Sequence, residues 1–178
     1  MGSVKSSLFI SLDGVVEAPD TWHFDYFNDE MGAAVGELMG GSDAMLLGRQ
    51  TYDEFAEYWP NADPNDPFTA QMNGSRKYVV SNTLIDATWE NSSVIHGDVN
   101  AELTKLKDDT RLGTTGSGTL VRWMLEQGLV DELHLFMHPV VVGRGKKLFA
   151  DGAKVPLALA SATTFETGVL HLVYAPVD

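Results

Sequence analysis

The stretch Thr114–Leu133, TTGSGTLVRWMLEQGLVDEL, changes its hydrophobic period twice in a short run. It leaves a β-like pair, passes through Gly116-Ser117-Gly118, and continues with Leu120, Val121, Met124 and Leu125 on one helical face. Gly128 then suits a left-handed helix cap, and DELHLFMH begins a new strand-like run. A strand, a glycine turn, a helix and a second strand make a βαβ unit, which favours a parallel sheet covered by helices. The glycines allow two readings. They serve a sharp bend, or they let a phosphate approach the unpaired N–H groups of a helix start.

The same alternation extends to both sides. SLFISLDG (7–14) predicts a first strand, and DYFNDEMGAAVGELMGG (25–41) predicts a helix facing inward through Phe27, Met31, Ala34, Val35 and Leu38. DAMLLG (43–48) predicts a short buried strand, and RQTYDEFAEYW (49–59) a helix that stops before Pro60. NADPNDPFTAQMNG (61–74), with its prolines and Asn-x-Asp patterns, predicts a loop. RKYVVS and SVIHG predict strands, VNAELTKLK a helix, and RLGTT the strand that feeds Gly116. DELHLFMHPVVVG predicts a long strand interrupted at Pro139. The segment from Leu157 onward predicts a hairpin turning near Thr167-Gly168. The expected architecture is one α/β domain over residues 1–178. Its mixed sheet is parallel early and antiparallel late, with helices on both faces.

Bulk properties narrow the function. The net charge of −13 opposes binding to nucleic acid or an anionic membrane. No apolar run approaches the roughly 20 residues of a membrane span. The chain has no cysteine, which removes disulfides, thiolate ligands and a cysteine nucleophile, and suggests a cytoplasmic protein. Against this acidity, Arg144, Lys146 and Lys147 in VGRGKKLF are a local concentration of positive charge.

Three strand ends carry small or polar residues at a turn: Gly48-Arg49-Gln50-Thr51, Ser81-Asn82-Thr83, and Thr115 to Leu120. Open α/β sheets bind ligands at such ends. The Rossmann spacing fails because Val121 stands where a third glycine belongs, and no Walker A or Gly-x-Ser-x-Gly pattern occurs. His134 and His138 lie four apart on a strand, a weak basis for a metal site, and none is expected. In SLDGVVEAPDTWHF, Asp13 and Gly14 follow the first strand at once and Trp22 comes soon after. A carboxylate beside an aromatic can hold a polar heterocycle, although Asp-Gly is also a common turn pair.

With these motifs in order, the chain resembles the dihydrofolate-reductase-like superfamily. It is most similar to the reductase domain that forms the C-terminal half of the bacterial deaminase–reductase of riboflavin biosynthesis, and to its stand-alone relatives. SLDG (11–14), LLGRQTYDEFAEYW (46–59), KYVVSNTL (77–84) and the run from Gly116 to Phe149 carry the likeness. The resemblance implies an NADPH-dependent reductase acting on a small pyrimidine- or pterin-like heterocycle, as 5-amino-6-(5-phosphoribosylamino)uracil reductase does. It implies that Gly48, Arg49, Gln50 and Thr51 hold the adenosine phosphates, Ser81 and Asn82 border the 2′-phosphate, and Gly116, Ser117, Gly118, Thr119 and Leu120 underlie the pyrophosphate. Asp13 is expected to act catalytically by orienting substrate, with Gly14 and Trp22 beside it. A homodimer is also implied, with DELHLFMHPVVVG as a candidate interface strand. Two positions depart from the riboflavin pattern. Thr114-Thr115 replace an acidic residue, and Leu8, Phe9 and Ile10 stand where a lysine is usual. A second reading is a non-catalytic protein of the same fold that sequesters a flat small molecule.

Overall fold

The computed structural model describes residues 1–149, 152 and 154–177. Residues 150, 151, 153 and 178, part of the expected 1–178 domain, lie outside the described residues. Eight strands form one sheet: β1 (Ser3–Ser11), β2 (Ala44–Gly48), β3 (Arg76–Val80), β4 (Ser92–Ile95), β5 (Arg111–Thr115), β6 (Glu132–His138), β7 (Leu157–Thr164) and β8 (Leu170–Pro176). Their spatial order is β4-β3-β2-β5-β1-β6-β8-β7. The first six run parallel, and β8 and β7 complete the sheet antiparallel as the expected hairpin, with Gly168 at φ 84° in its turn.

Alternation along the strands sends side chains to two layers. Leu8 and Ile10 of β1 and Leu46 of β2 pack with α4 (Val99–Leu106) and α5 (Gly118–Glu126) on one face. Phe9 and Phe136 face the other way, against Ala34, Val35 and Leu38 of α1 (Asp29–Gly40). Met45 and Leu47 share that second face with Tyr52 of α2 (Arg49–Tyr58) and Met72 of α3 (Pro67–Gly74). Each fully buried aliphatic side chain contributes about 1.5–3 kcal/mol relative to exposure. No helix among the described residues is long and apolar enough to cross a membrane.

Three expectations are corrected. The loop expected over 61–74 contains α3, because Asp66 accepts from the Phe68 N–H as N-cap and Pro67 occupies the first helical position. The helix expected from Asp25 begins at Asp29, because Asn28 is extended and caps the Met31 N–H. The candidate interface strand is interior: β6 lies between β1 and β8 and ends before Pro139. Among the described residues, the edge strand at that end of the sheet is β7.

Candidate functional site at the carboxyl ends of the strands

The sheet opens where β5 stops. β1 pairs with β5 only from Ser3 to Ser7, then continues against β6 to Ser11. β5 pairs with β2 only at Ala44 and Met45. The turn after β5 therefore enters a gap between the ends of β1 and β2. The chain leaves β1 toward β2 through α1, and leaves β5 toward β6 through α5 on the opposite face. This is a topological switch point, where open α/β sheets place ligands.

Gly116 (φ 68°) and Ser117 (φ 54°) both lie in the left-handed region, which turns the chain directly into α5. The Gly116 N–H donates to Ser7 O at 3.1 Å, fixing the turn to β1. The Ser117 hydroxyl accepts from the Gly48 N–H at 2.9 Å, and Thr51 Oγ1 accepts from the Ser117 N–H at 3.1 Å. Two of the three motif groups thus form one hydrogen-bonded unit, with α2 and α5 starting side by side. Neither helix has a side-chain cap or an acidic residue in its first turn. By contrast α1, α3 and α4 are capped by Asn28, Asp66 and Asp98. The paired starts of α2 and α5 keep donors and partial positive charge for an anion.

The third group sits at the end of neighbouring β3. The Ser81 hydroxyl accepts from the Thr83 and Leu84 N–H groups, and Asn82 is exposed. Arg49 donates through Nε to both oxygens of Asp53. Lys146 reaches from the basic loop to Gln50 Oε1 at 3.1 Å, so VGRGKKLF stands beside the start of α2. Val16 packs against Gly118: a Cβ there would lie 3.1 Å from Val16 Cγ2.

Asp13 binds this loop in place. Its Oδ1 accepts from Ser11 Oγ at 2.6 Å and Val142 N at 3.1 Å, and its Oδ2 accepts from Gly143 N at 2.8 Å. These bonds, the Ser11 hydroxyl foremost, lower its pKa to about 2. A carboxyl so acidic is ionised at neutral pH and has no proton to donate, so its hydrogen bonds point to a positioning role. Asp13→Asn should loosen the 140–147 loop, because an amide N–H group would face backbone donors. Faster proteolysis or amide exchange within that loop is the expected readout, and an unchanged exchange pattern would contradict it. Gly14, at φ 86°, makes the turn that leads into Val15, which bridges Lys147.

Among the described residues Trp22 makes no hydrogen bond to the glycine turn. Its indole N–H donates to Glu17 O at 3.2 Å, and its ring meets His138 edge-on at 5.2 Å. His134 and His138 occupy one face of β6 but different surroundings. His134 contacts His171 at 3.0 Å and Glu132 at 2.9 Å. His138 lies among aromatic rings at the strand end. His23, buried in that same group, carries no sequence signal beyond its aromatic neighbours.

Similarity to known proteins matches this geometry. The family described as the RibD C-terminal domain matches residues 3–171. This chain belongs to that family. "Uncharacterized protein YyaP" of Bacillus subtilis (strain 168) is 30% identical over 174 residues, covering 94% of this chain and 91% of that protein. Among solved structures, a "Putative riboflavin biosynthesis protein" from Shewanella sp. PV-4 superposes with a TM-score of 0.80 at 17% identity, over 99% of both chains. A pyrimidine reductase-like protein from Corynebacterium diphtheriae gives 0.72 at 14% identity, over 99% of this chain and 92% of that one. Acinetobacter baumannii RibD gives 0.70 at 16% identity, where this chain spans 59% of the longer protein. At these identities the structural likeness establishes the shared fold.

Proposed function

We propose that this RibD C-terminal domain protein is an NADPH-dependent reductase that delivers a hydride to a small pyrimidine- or pterin-like heterocycle. The observation that carries the reading is the pairing of two uncapped helix starts at the switch point, locked by the Ser117–Gly48 and Thr51–Ser117 hydrogen bonds. That arrangement fits a pyrophosphate: backbone donors converge from α2 and α5, and Gly48 and Gly116 let the two starts pack closely, a Cβ at Gly48 lying 3.6 Å from Ser117 and one at Gly116 3.5 Å from Thr51. Gln50, Gly118, Thr119 and Leu120 complete the two first turns. Arg49, Ser81 and Asn82 supply the cationic and hydroxyl or amide groups that a 2′-phosphate needs, with Lys146 adjacent.

When bound, the cofactor supplies the hydride, which the side chains of this chain cannot. The protein positions and excludes. Asp13 fixes the basic loop against the Val15–Glu17 segment, where Lys146 N donates to Glu17 Oε2 at 3.1 Å. Gly14 and Trp22 border the substrate side, and orientation is the main catalytic contribution. Titration of the intrinsic fluorescence of the 4 Trp residues tests the reading. NADPH should bind at least about tenfold more tightly than NADH, as one charge-assisted contact would give. Gly116→Val should weaken NADPH binding by about tenfold or more, because a β-branched residue at φ 68° strains the turn. Absence of NADPH binding at millimolar concentration would sink the reading and favour sequestration.

The protein is further proposed to act as a homodimer in the cytoplasm, with β7 at the interface. Seven of the eight residues of β7 are exposed, none is charged, and its edge has no partner strand among the described residues. Such an edge invites a second copy. Sedimentation should report a dimer, and Leu159→Lys should shift it toward monomer; a monomeric wild type would exclude this interface.

A further inference from the structure

His138 closes β6, and its ring is 0% exposed. Its Nδ1 lies 2.8 Å from Phe136 O. A carbonyl only accepts, so Nδ1 carries the ring proton and Nε2 of the neutral imidazole presents a lone pair. Burial favours that neutral form by pushing the pKa down, against the nearby Phe136 and Ile10 carbonyls. Among the described residues Nε2 has no hydrogen-bond partner. Nor has Nδ1 of His23, which is 6% exposed in the same cluster. An unpartnered buried polar atom costs about 1–3 kcal/mol, and two in one place call for a ligand or a function.

The surroundings are aromatic. Phe9, Trp22, His23 and Tyr26 ring His138 at centroid distances of 5.6, 5.2, 6.1 and 5.7 Å, all close to perpendicular. Among the described residues the segment over it, Pro19–Phe27, makes hydrogen bonds only within Glu17–Phe27. Ring contacts with Phe9 and His138 pack that segment on the sheet. Ala18, at its start, has a φ of 45°, a strained value for a residue with a side chain. Phe24 and Phe27 carry the aromatic surface outward, at 65% and 46% exposure. His138 is in register with Ser11, whose hydroxyl binds Asp13, so the cluster adjoins the Asp13–Gly14 turn.

We propose that His138 Nε2 accepts a ring N–H of a planar nitrogen heterocycle, which enters this aromatic shell by displacing Trp22. The subsite selects for flat rings that offer a donor. It rests on the reductase reading for its role as the substrate's place, and its binding property is measured separately.

The probes are 5,6-diaminouracil and its 1,3-dimethyl derivative, which lacks the ring N–H groups. The full chain should bind the first about tenfold more tightly, the yield of one well-made hydrogen bond. The shift should appear in tryptophan fluorescence and in the His138 Nε2 resonance by nitrogen-15 NMR. His138→Phe should make the two probes equal while NADPH affinity is retained, and His138→Gln, which keeps an acceptor, should recover part of the preference. Equal binding of both probes by wild type, no binding of either at 1 mM, or a preference that survives in His138→Phe would each overturn the proposal. If His138→Phe fails to fold, the wild-type NMR titration decides alone: an unmoved Nε2 resonance overturns it. NADPH binding without probe discrimination removes the subsite and leaves the reductase reading. Discrimination without NADPH binding does the opposite.

Discussion

Lys77→Met should cost the fold about 3 kcal/mol, a drop of roughly 6–12 °C in Tm for a chain of this size. Lys77 is 0% exposed. Its Nζ donates to three backbone carbonyls: Asn73 O at 2.8 Å, Ser75 O at 2.7 Å and Glu90 O at 3.1 Å. It also lies 4.1 Å from the centroid of the Trp89 ring, a cation–π distance. Burial lowers its pKa to about 8, with the Glu90 charge opposing. Replacing a buried charge with an apolar side chain is often neutral when its partner is removed too. Here the partners are main-chain carbonyls that remain. Two of them lie at the end of α3, where the helix dipole favours a cation. The third anchors the segment that carries Trp89, whose indole N–H binds Asn73 and whose backbone N–H binds the Tyr52 hydroxyl. Urea or thermal unfolding measures the loss; a change under 1 kcal/mol would show that the carbonyls find other donors. NADPH affinity of the folded fraction should hold, since Lys77 is at the start of β3 and Ser81 follows its end.

Lys77 shows what the sequence conceals. A lysine next to an arginine in RKYVV reads as a solvated strand start, and only the return of Asn73 and Glu90 to one point buries it. The alternation of strand and helix was legible because it is local. Glycine and proline ended α2 and α5, and parallel strands left continuous apolar runs such as AMLL in β2. The helix α3 was hidden by its own start signal, because Asp66-Pro67 serves equally as a turn and as an N-cap with proline at the first position. The candidate site was legible in part. Its three strand-end motifs were visible, but the Ser117–Gly48 and Thr51–Ser117 bonds join residues more than sixty positions apart. Asp13 was visible as a carboxylate at a strand end. Its engagement by Val142 and Gly143 depends on a loop about 130 residues later. The unpartnered nitrogens of His23 and His138 had no sequence signal, because partner geometry is a tertiary property.

Those histidines should make the protein lose stability in mild acid, mostly between pH 6.5 and 4. His23 is held down to about pH 4 by burial first and the His138 charge second, against a pull from Asp20. His134, His138 and His171 are also lowered, each chiefly by burial. A histidine with a depressed folded pKa binds its proton more readily when unfolded. Its contribution is complete above the unfolded pKa near 6.5 and is lost as pH falls toward the folded value. For His23 alone the shift corresponds to roughly 3 kcal/mol by pH 4. The carboxylates act in a lower window. Asp13 and Asp43, each lowered to about 2 by hydrogen bonds, keep their contributions until pH drops below the ordinary value of 3.8. Glu30 and Glu132, also lowered, begin to lose theirs below their ordinary value of 4.5, so a loss between 6.5 and 4.5 belongs to the imidazoles. His23→Phe separates the cause, because a phenyl ring can keep the stack on Phe9, now at 4.5 Å and 18°, while removing the titrating nitrogen. The variant should show a shallower decline of unfolding free energy with falling pH. If its slope matches wild type, His23 is not the group being protonated, and the acid sensitivity lies with His134, His138 and His171.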